Sequence, residues 1–345
     1  MMATSPTNEN SILDVIEASV TIIVNGREVL VPRSAMLLDA VLAAGIDLPH
    51  LCKPESRNPL GACRTCLIEI EGTPRLAASC HTPVADGMIV NTTSERVTRV
   101  RRGVLDLTIG MSDDGRGRGL AAEHARSHGI EMSSFTPSPR HPRDESNIFF
   151  QLNMSDCILC GRCVDACQRT QHIGAIGING RGETARIGSA FDSLWEESTC
   201  TSCGQCVSQC PTGALLPKHS DPATASRSNS ANDDVTTTTC PYCGVGCGLK
   251  VHKSNGQISW VDGDHSNDSS QGMTCVKGRF GLEFAQSDER LTTPLIRRND
   301  KLESASWDDA LDLVAHRFAD SIGSFASIAS AKATNEDGYV LQKFT

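Results

Sequence analysis

Aromatic side chains are scarce here, 4% of 345 residues. That excludes one large core built on aromatic packing and points to small modules held together partly by metal. Basic runs are missing too: nothing exceeds Arg101-Arg102, and the formal net charge is −9. The chain therefore offers no electrostatic footprint for nucleic acid or an anionic membrane. No apolar stretch reaches the length of a membrane span, and the best, Ala35 to Ile46, is interrupted by Asp39. Met1 to Asn10 has no basic region followed by an apolar core, as a secretory signal would. A cytoplasmic, reducing location is the expectation, and there clustered cysteines serve metals more often than disulfides.

Cysteine is what the sequence does have. Its 16 cysteines fall into four sets of four. They are Cys52, Cys63, Cys66, Cys80; Cys157, Cys160, Cys163, Cys167; Cys200, Cys203, Cys206, Cys210; and Cys240, Cys243, Cys247, Cys275. Such spacings read as iron–sulfur ligands, with four-cysteine zinc sites as the alternative. Several clusters on one chain imply electron transfer.

After a flexible stretch over 1–17, residues 18–98 read as a β-rich module. Val20 to Val24 and Glu28 to Val31 are joined through Asn25-Gly26, a strong hairpin signal. Ser34 can cap a helix with Leu37, Leu38, Val41 and Leu42 on one face, and Gly45 can end it. Cys52, Cys63 and Cys66 follow in a loop rich in Gly, Pro and Asn, and Cys80 comes after a strand over Thr65 to Ile70. A loop of this kind lets backbone N–H groups point at cluster sulfurs. The spacing C-x10-C-x2-C-x13-C resembles the [2Fe-2S] domain at the N-terminus of the NADH:quinone oxidoreductase large subunit, iron-only hydrogenases and NAD-dependent formate dehydrogenases. That resemblance implies a ferredoxin-like β-grasp fold and one [2Fe-2S] cluster on Cys52, Cys63, Cys66 and Cys80.

Residues 99–146 read as a helix and linker. The helix spans 94–110 with Val97, Val100, Val104 and Leu107 at helical spacing, and Ser112 to Ser146 is expected to be loop. In the quinone oxidoreductase this region carries a cluster bound by one histidine and three cysteines. Here no cysteine lies between Cys80 and Cys157, so His124, His128 and His141 are expected to be exposed loop histidines.

Residues 147–219 hold a duplication, Cys157-x2-Cys160-x2-Cys163-x3-Cys167 and Cys200-x2-Cys203-x2-Cys206-x3-Cys210-Pro211. It resembles the bacterial two-cluster ferredoxins, with Gly174 to Ile187 as an intervening hairpin. The resemblance implies two [4Fe-4S] clusters, one on Cys157, Cys160, Cys163 and Cys210, the other on Cys200, Cys203, Cys206 and Cys167.

Residues 220–236 are a linker by composition, and the Ser, Thr, Asn and Asp richness runs from Ser220 to Thr239. In 237–290, Cys240-Pro241-Tyr242-Cys243-Gly244-Val245-Gly246-Cys247 is followed by Cys275-Val276-Lys277-Gly278. This resembles the N-terminal [4Fe-4S] domain of molybdenum or tungsten bis-pterin enzymes, formate dehydrogenases and nitrate reductases among them. The resemblance implies a third [4Fe-4S] cluster and a cofactor-binding role for Lys277 between cluster and pterin. Over 291–345, Ser306 heads a helix with Ala310, Leu311, Val314 and Phe318 inward. Ser324 to Ala329 reads as a buried strand and Asn335 starts a second helix, together the opening of an incomplete α/β pterin-binding domain.

The order of modules resembles the front of the alpha subunit of cytosolic NAD-dependent formate dehydrogenases. The fold class expected is α+β and multidomain: [2Fe-2S] β-grasp, double [4Fe-4S] ferredoxin, then the molybdopterin oxidoreductase [4Fe-4S] domain. The resemblance implies a flavin- and NAD-binding beta subunit as partner and, if another chain completes the pterin domain, a Mo or W bis-pterin guanine dinucleotide. That family's catalytic residues lie downstream of the cluster domain, so no catalytic residue is expected here and the chain alone is not expected to oxidise formate. A stand-alone non-catalytic electron carrier or truncated remnant, and a relative of the NADH:quinone oxidoreductase large subunit, are the alternatives. Iron-only hydrogenases do not share the Cys240 pattern, and nitrate reductases do not usually share the [2Fe-2S] head.

Overall fold

The computed structural model describes residues 19–54, 58–137, 143–218, 234–321, 323–324, 326–331 and 333–345. His141 and most of the linker lie outside them. The chain divides into two compact units, Met1–His141 with Ser155–Arg162, and Pro142–Met154 with Cys163–Thr345.

In the first unit, β1 (Ser19–Val24) and β2 (Arg27–Pro32) form an antiparallel hairpin. Its turn places Asn25 at φ 50° and Gly26 at φ 79°, the left-handed pair such a turn needs. Alternation along β1 sends Val20, Ile22 and Val24 into the core against Leu37, Leu38 and Val41 of α1 (Leu37–Ala43). Ser34 does not cap that helix: Met36 holds the N-cap position with no side-chain bond, and α1 begins only at Leu37. Gly45, at φ 75°, ends it as expected. With β3 (Leu67–Ile70), β4 (Ala77–Ala78) and β5 (Ile89–Asn91) the sheet order is β2-β1-β5-β3-β4, and the β1–β5 pairing is parallel.

Ser94 caps α2 (Glu95–Ile109) by accepting the Val97 N–H. The inward face is Val97, Arg101, Leu105 and Ile109, whereas Leu107 is exposed. The valine pattern misplaces this face because a charged residue occupies one of its slots. Buried Arg101 donates to the Thr92 carbonyl at 3.0 Å and to the Leu67 carbonyl at 2.7 Å. The expected loop contains a helix, α3 (Gly119–Ser127), whose small Ala121 and Ala125 pack with Leu105 and Ile109 of α2. His124 rides on α3 and His128 caps its end; both are half-buried, so the expectation of exposed loop histidines fails for both.

The second unit opens with β6 (Phe150–Leu152), then α4 (Arg162–Asp165), which starts on the last residue of the first unit. The hairpin β7 (Gly177–Asn179) and β8 (Arg186–Gly188) lies where it was expected. α5 (Gln205–Gln209) and β9 (Leu215–Pro217) follow, and β9 pairs with β6. Phe150 is fully buried edge-on to Trp195 at 5.1 Å. β10 (Asp234–Thr239), β11 (Gly248–Ser254) and β12 (Gln257–Gly263) make an antiparallel sheet. Part of the Thr-rich stretch read as linker is thus the strand β10, where β-branched residues suit an edge position. α6 (Val276–Phe280) completes this module.

Beyond it, β13 (Leu295–Arg298) and β14 (Lys301–Ser304) form a hairpin that hydrophobic patterning did not signal. α7 (Trp307–Asp320) is capped by Ser306 as expected, and Thr334 caps α8 (Asn335–Phe344). Leu311 and Val314 are exposed rather than inward. Phe318 meets Phe344 edge-on at 5.4 Å, but no described residue covers the rest of the apolar face. The described residues between Ser324 and Ala329 form no strand, and none of the described strands pairs with them. Among the described residues no helix is long and apolar enough to cross a membrane.

Two outcomes follow for the first unit. Burial pulls the His124 imidazole down from 6.5 to about 4. The unfolded chain then takes up a proton that the folded chain refuses, so stability present above about pH 6.5 is lost as pH falls toward 4. His124→Gln should flatten that loss in thermal melts of the intact protein across this range; an unchanged slope would assign the loss to other groups. Arg101→Met should lower stability by about 1–3 kcal/mol, because two buried carbonyls lose their donor, read as a lower melting temperature.

Candidate iron–sulfur centres

The loop between α1 and β3 is bent by Gly61 at φ 68° and Arg64 at φ 58°. This aims the N–H groups of Gly61, Ala62 and Cys63 at the Cys52 sulfur. The β3–β4 pairing, Leu67 opposite Ala78, carries Cys66 to Cys80. Ser79 supports the turn by donating its backbone N–H and its hydroxyl, at 3.3 and 2.9 Å, to the Cys66 carbonyl. The thiols come in pairs. A hydrogen bond from Cys63 draws Cys52 down to about 5, and one from Cys80 draws Cys66 down to about 6. The donating thiols, Cys63 and Cys80, are pushed up by the same partners. Two pairs of cysteines suit two irons that each take two thiolates, as in a [2Fe-2S] cluster. A single zinc would instead take all four thiolates on one ion.

Each copy of the duplication builds the same local loop. Leu159 and Ser202, each just before the second cysteine of its run, take left-handed backbone at φ 52° and 54°. Gly161 and Gly204, just after it, do so at φ 79° and 73°. The bend lets Leu159 N–H donate to the Cys157 sulfur and Ser202 N–H to the Cys200 sulfur, each at 3.4 Å. Cys157 and Cys160 belong to the first unit, where Ile158 packs with Leu51 and Cys63 in one small core. Cys163 and Cys210 belong to the second and are buried. Cys167, Cys200, Cys203 and Cys206 line one small cavity with Phe150, Ile173 and Trp195. Burial pushes the Cys200 thiol up and the Cys206 thiol well up. Such thiols ionise only if something positive replaces the lost water, which a bound iron cluster does.

In the third module Cys240 leaves β10, Cys247 precedes β11 and Cys275 precedes α6. Cys240 N–H donates to the Cys247 carbonyl at 2.8 Å, closing the loop. Burial is the main cause that raises the Cys247 thiol, with repulsion from Cys240, Cys243 and Cys275 adding to it, so the four lie within mutual electrostatic reach. A side chain at Gly278 would put its Cβ 3.4 Å from the Cys240 sulfur, and one at Gly281 would strike the Tyr242 hydroxyl at 2.8 Å. The glycines thus keep the wall of the site thin. Lys277 is exposed, with its Nζ 6.0 Å from the centre of the Tyr242 ring.

Sequence reasoning missed Arg279. Its spacing after Lys277 was visible, but nothing in a linear pattern marks one cation as interior. Arg279 is buried and bonded to Cys203, Gln205 and Asp262.

Residues 17–95 match the family described as 2Fe-2S iron-sulfur cluster binding domain, and 156–214 match 4Fe-4S dicluster domain. Residues 233–287 match molybdopterin oxidoreductase Fe4S4 domain, and 290–345 match molybdopterin oxidoreductase. The chain is 31% identical over 342 residues to the NADPH-Fe(3+) oxidoreductase subunit alpha of Geobacter sulfurreducens, covering 94% of this chain and 38% of that one. It is 29% identical to a putative formate dehydrogenase of Staphylococcus aureus, covering 92% and 37%. It therefore spans well under half the length of these relatives. A crystal structure of NAD+-reducing [NiFe]-hydrogenase aligns with 58% of this chain and 88% of its own, at 32% identity and a TM-score of 0.52. With the thiol sets on the modules these families describe, the chain is an iron–sulfur electron-transfer portion of the molybdopterin oxidoreductase family.

Proposed function

We propose that this chain is the electron-transfer arm of a formate dehydrogenase alpha subunit, serving a molybdenum or tungsten bis-pterin guanine dinucleotide site and a flavin- and NAD-binding partner subunit. The observation that carries this reading is the order of its thiol sets. A paired set, two duplicated loops and a glycine-walled set run from the hydrogenase-like head to the molybdopterin-type module. The similarity to a putative formate dehydrogenase supports the substrate, and that to an NAD+-reducing hydrogenase supports the acceptor.

The groups would be one [2Fe-2S] and three [4Fe-4S] clusters, which supply one-electron storage, beside a pterin-bound metal that takes two electrons from formate. The chain's own residues do the rest. Cys52, Cys63, Cys66 and Cys80 hold the first group. Cys157, Cys160, Cys163 and Cys210, then Cys200, Cys203, Cys206 and Cys167, hold the next two. Cys240, Cys243, Cys247 and Cys275 hold the last. Backbone N–H groups aimed at Cys52, Cys157 and Cys200 stabilise negative charge on sulfur. Lys277, exposed beside Tyr242, would offer a cation between this group and a bound pterin. No residue of this chain is assigned to the formate chemistry itself.

Iron, acid-labile sulfide, molybdenum, tungsten and zinc should be counted on anaerobically purified native protein. About 14 irons per chain are expected, falling by about two in Cys66→Ala and about four in Cys206→Ala. Zinc in place of iron would overturn the cluster reading. In the assembled enzyme, formate should reduce the cluster signals seen by electron paramagnetic resonance, with NAD+ reoxidising them. Reduction by NADPH and not by formate would move the chain toward the NADPH-Fe(3+) oxidoreductase reading.

A further inference from the structure

Within the second unit, the buried Arg279 side chain ties the dicluster module to the molybdopterin-type module at three points. Arg279 lies one helical turn after Cys275, and its N–H donates to the Cys275 carbonyl at 3.1 Å. Its guanidinium donates from Nε to the Cys203 carbonyl at 3.2 Å and from Nη2 to the Gln205 Oε1 at 3.0 Å. The third arm, Nη1, meets Asp262 of β12 at 2.7 Å. Ser208 on α5 donates to the same carboxylate. The Arg279 side chain is only 2% exposed. Beside it, Phe280 stacks on Phe149 at 5.1 Å, so an aromatic pair flanks the buried ion pair. Gly204 is what admits it, because a Cβ there would lie 2.2 Å from the Arg279 Cδ and 2.7 Å from the Phe280 Cζ.

A buried cation costs desolvation, and Asp262 alone would balance it. The fork instead spends two of its arms on the Cys203 and Gln205 side, next to a predicted ligand. A fixed positive charge in low dielectric favours whatever negative charge appears nearby. We infer that Arg279 is a positioning residue that locks the Cys203–Gln205 loop to the Cys275 helix and raises the reduction potential of the group held by Cys200, Cys203 and Cys206. Reduction adds one electron there and needs no proton from Arg279, which is charged in both states. The inference rests on the proposed function only in requiring a cluster on those cysteines, and it is independent of formate.

Redox titration of the native protein followed by electron paramagnetic resonance tests it, with Cys206→Ser identifying the signal that belongs to this site. Arg279→Gln should shift electron occupancy away from the site about tenfold, which is about 59 mV for a one-electron couple. Arg279→Lys, which keeps the charge, should recover at least half of that. Asp262→Asn should shift the potential the opposite way, since it removes the negative partner. Gly204→Ala should mimic Arg279→Gln by displacing the side chain. An unchanged potential in Arg279→Gln, a Lys variant no better than Gln, or shifts of one sign for Arg279→Gln and Asp262→Asn would overturn the inference. Iron absent from this site in the native protein would instead sink the cluster reading beneath it. If Arg279→Gln fails to fold, the Lys and Asp262→Asn variants still decide the sign.

Discussion

A buried thiol resists ionisation, and a metal-binding thiol must ionise; most of the local structure in this chain answers that conflict. Cys206 and Cys200 are held protonated by burial unless a positive group joins them. Around Cys52 the backbone supplies three N–H donors. The left-handed residues at 159, 161, 202 and 204 exist to turn such donors inward. Neither the residue type nor the burial is useful without the loop conformation, so fold and site are one construction here.

The small cores around these loops are consistent with that dependence. Leu51, Leu105, Ile109 and two alanines make one core, and Leu249, Val251 and Val261 anchor another. Each core is small, and a bound metal would add folding free energy to the loops it joins. Cations are placed where sheets and helices meet: Arg101 ties α2 to the carbonyls of Leu67 and Thr92, and Arg279 ties α6 to the Cys203 loop. Both use carbonyl oxygens as partners. A carbonyl is a partner that a sequence pattern does not display.

Sequence patterns display neighbours in the chain and not such distant partners. Local signals read well: the Asn25-Gly26 hairpin, the Ser94 and Ser306 caps and the cysteine repeats depend on neighbours in sequence. The inward face of α2 was misplaced because hydrophobic periodicity treats arginine as exterior, while Arg101 is long enough to reach two carbonyls from inside. α3 was missed because its alanines pack by being small, which composition rich in Gly and Arg conceals. β10 reads as linker in sequence because an edge strand of threonines, exposed at every residue of Asp234–Thr239, carries no apolar alternation. The apolar face of α7 was readable, but a stripe on one helix does not state what covers it.

The two copies of the duplicated loop share their cysteine spacing, their left-handed positions and their N–H to sulfur bonds, yet their surroundings differ. A side chain at Gly161 would meet the methyl end of Leu60 at 3.3 Å, and one at Gly204 would meet Arg279. Gene duplication gives twins, and twins store an electron equally well in either place. An oily neighbour for one and a guanidinium for the other would remove that degeneracy, so a device copied from itself would acquire a preferred direction without any change in its ligands.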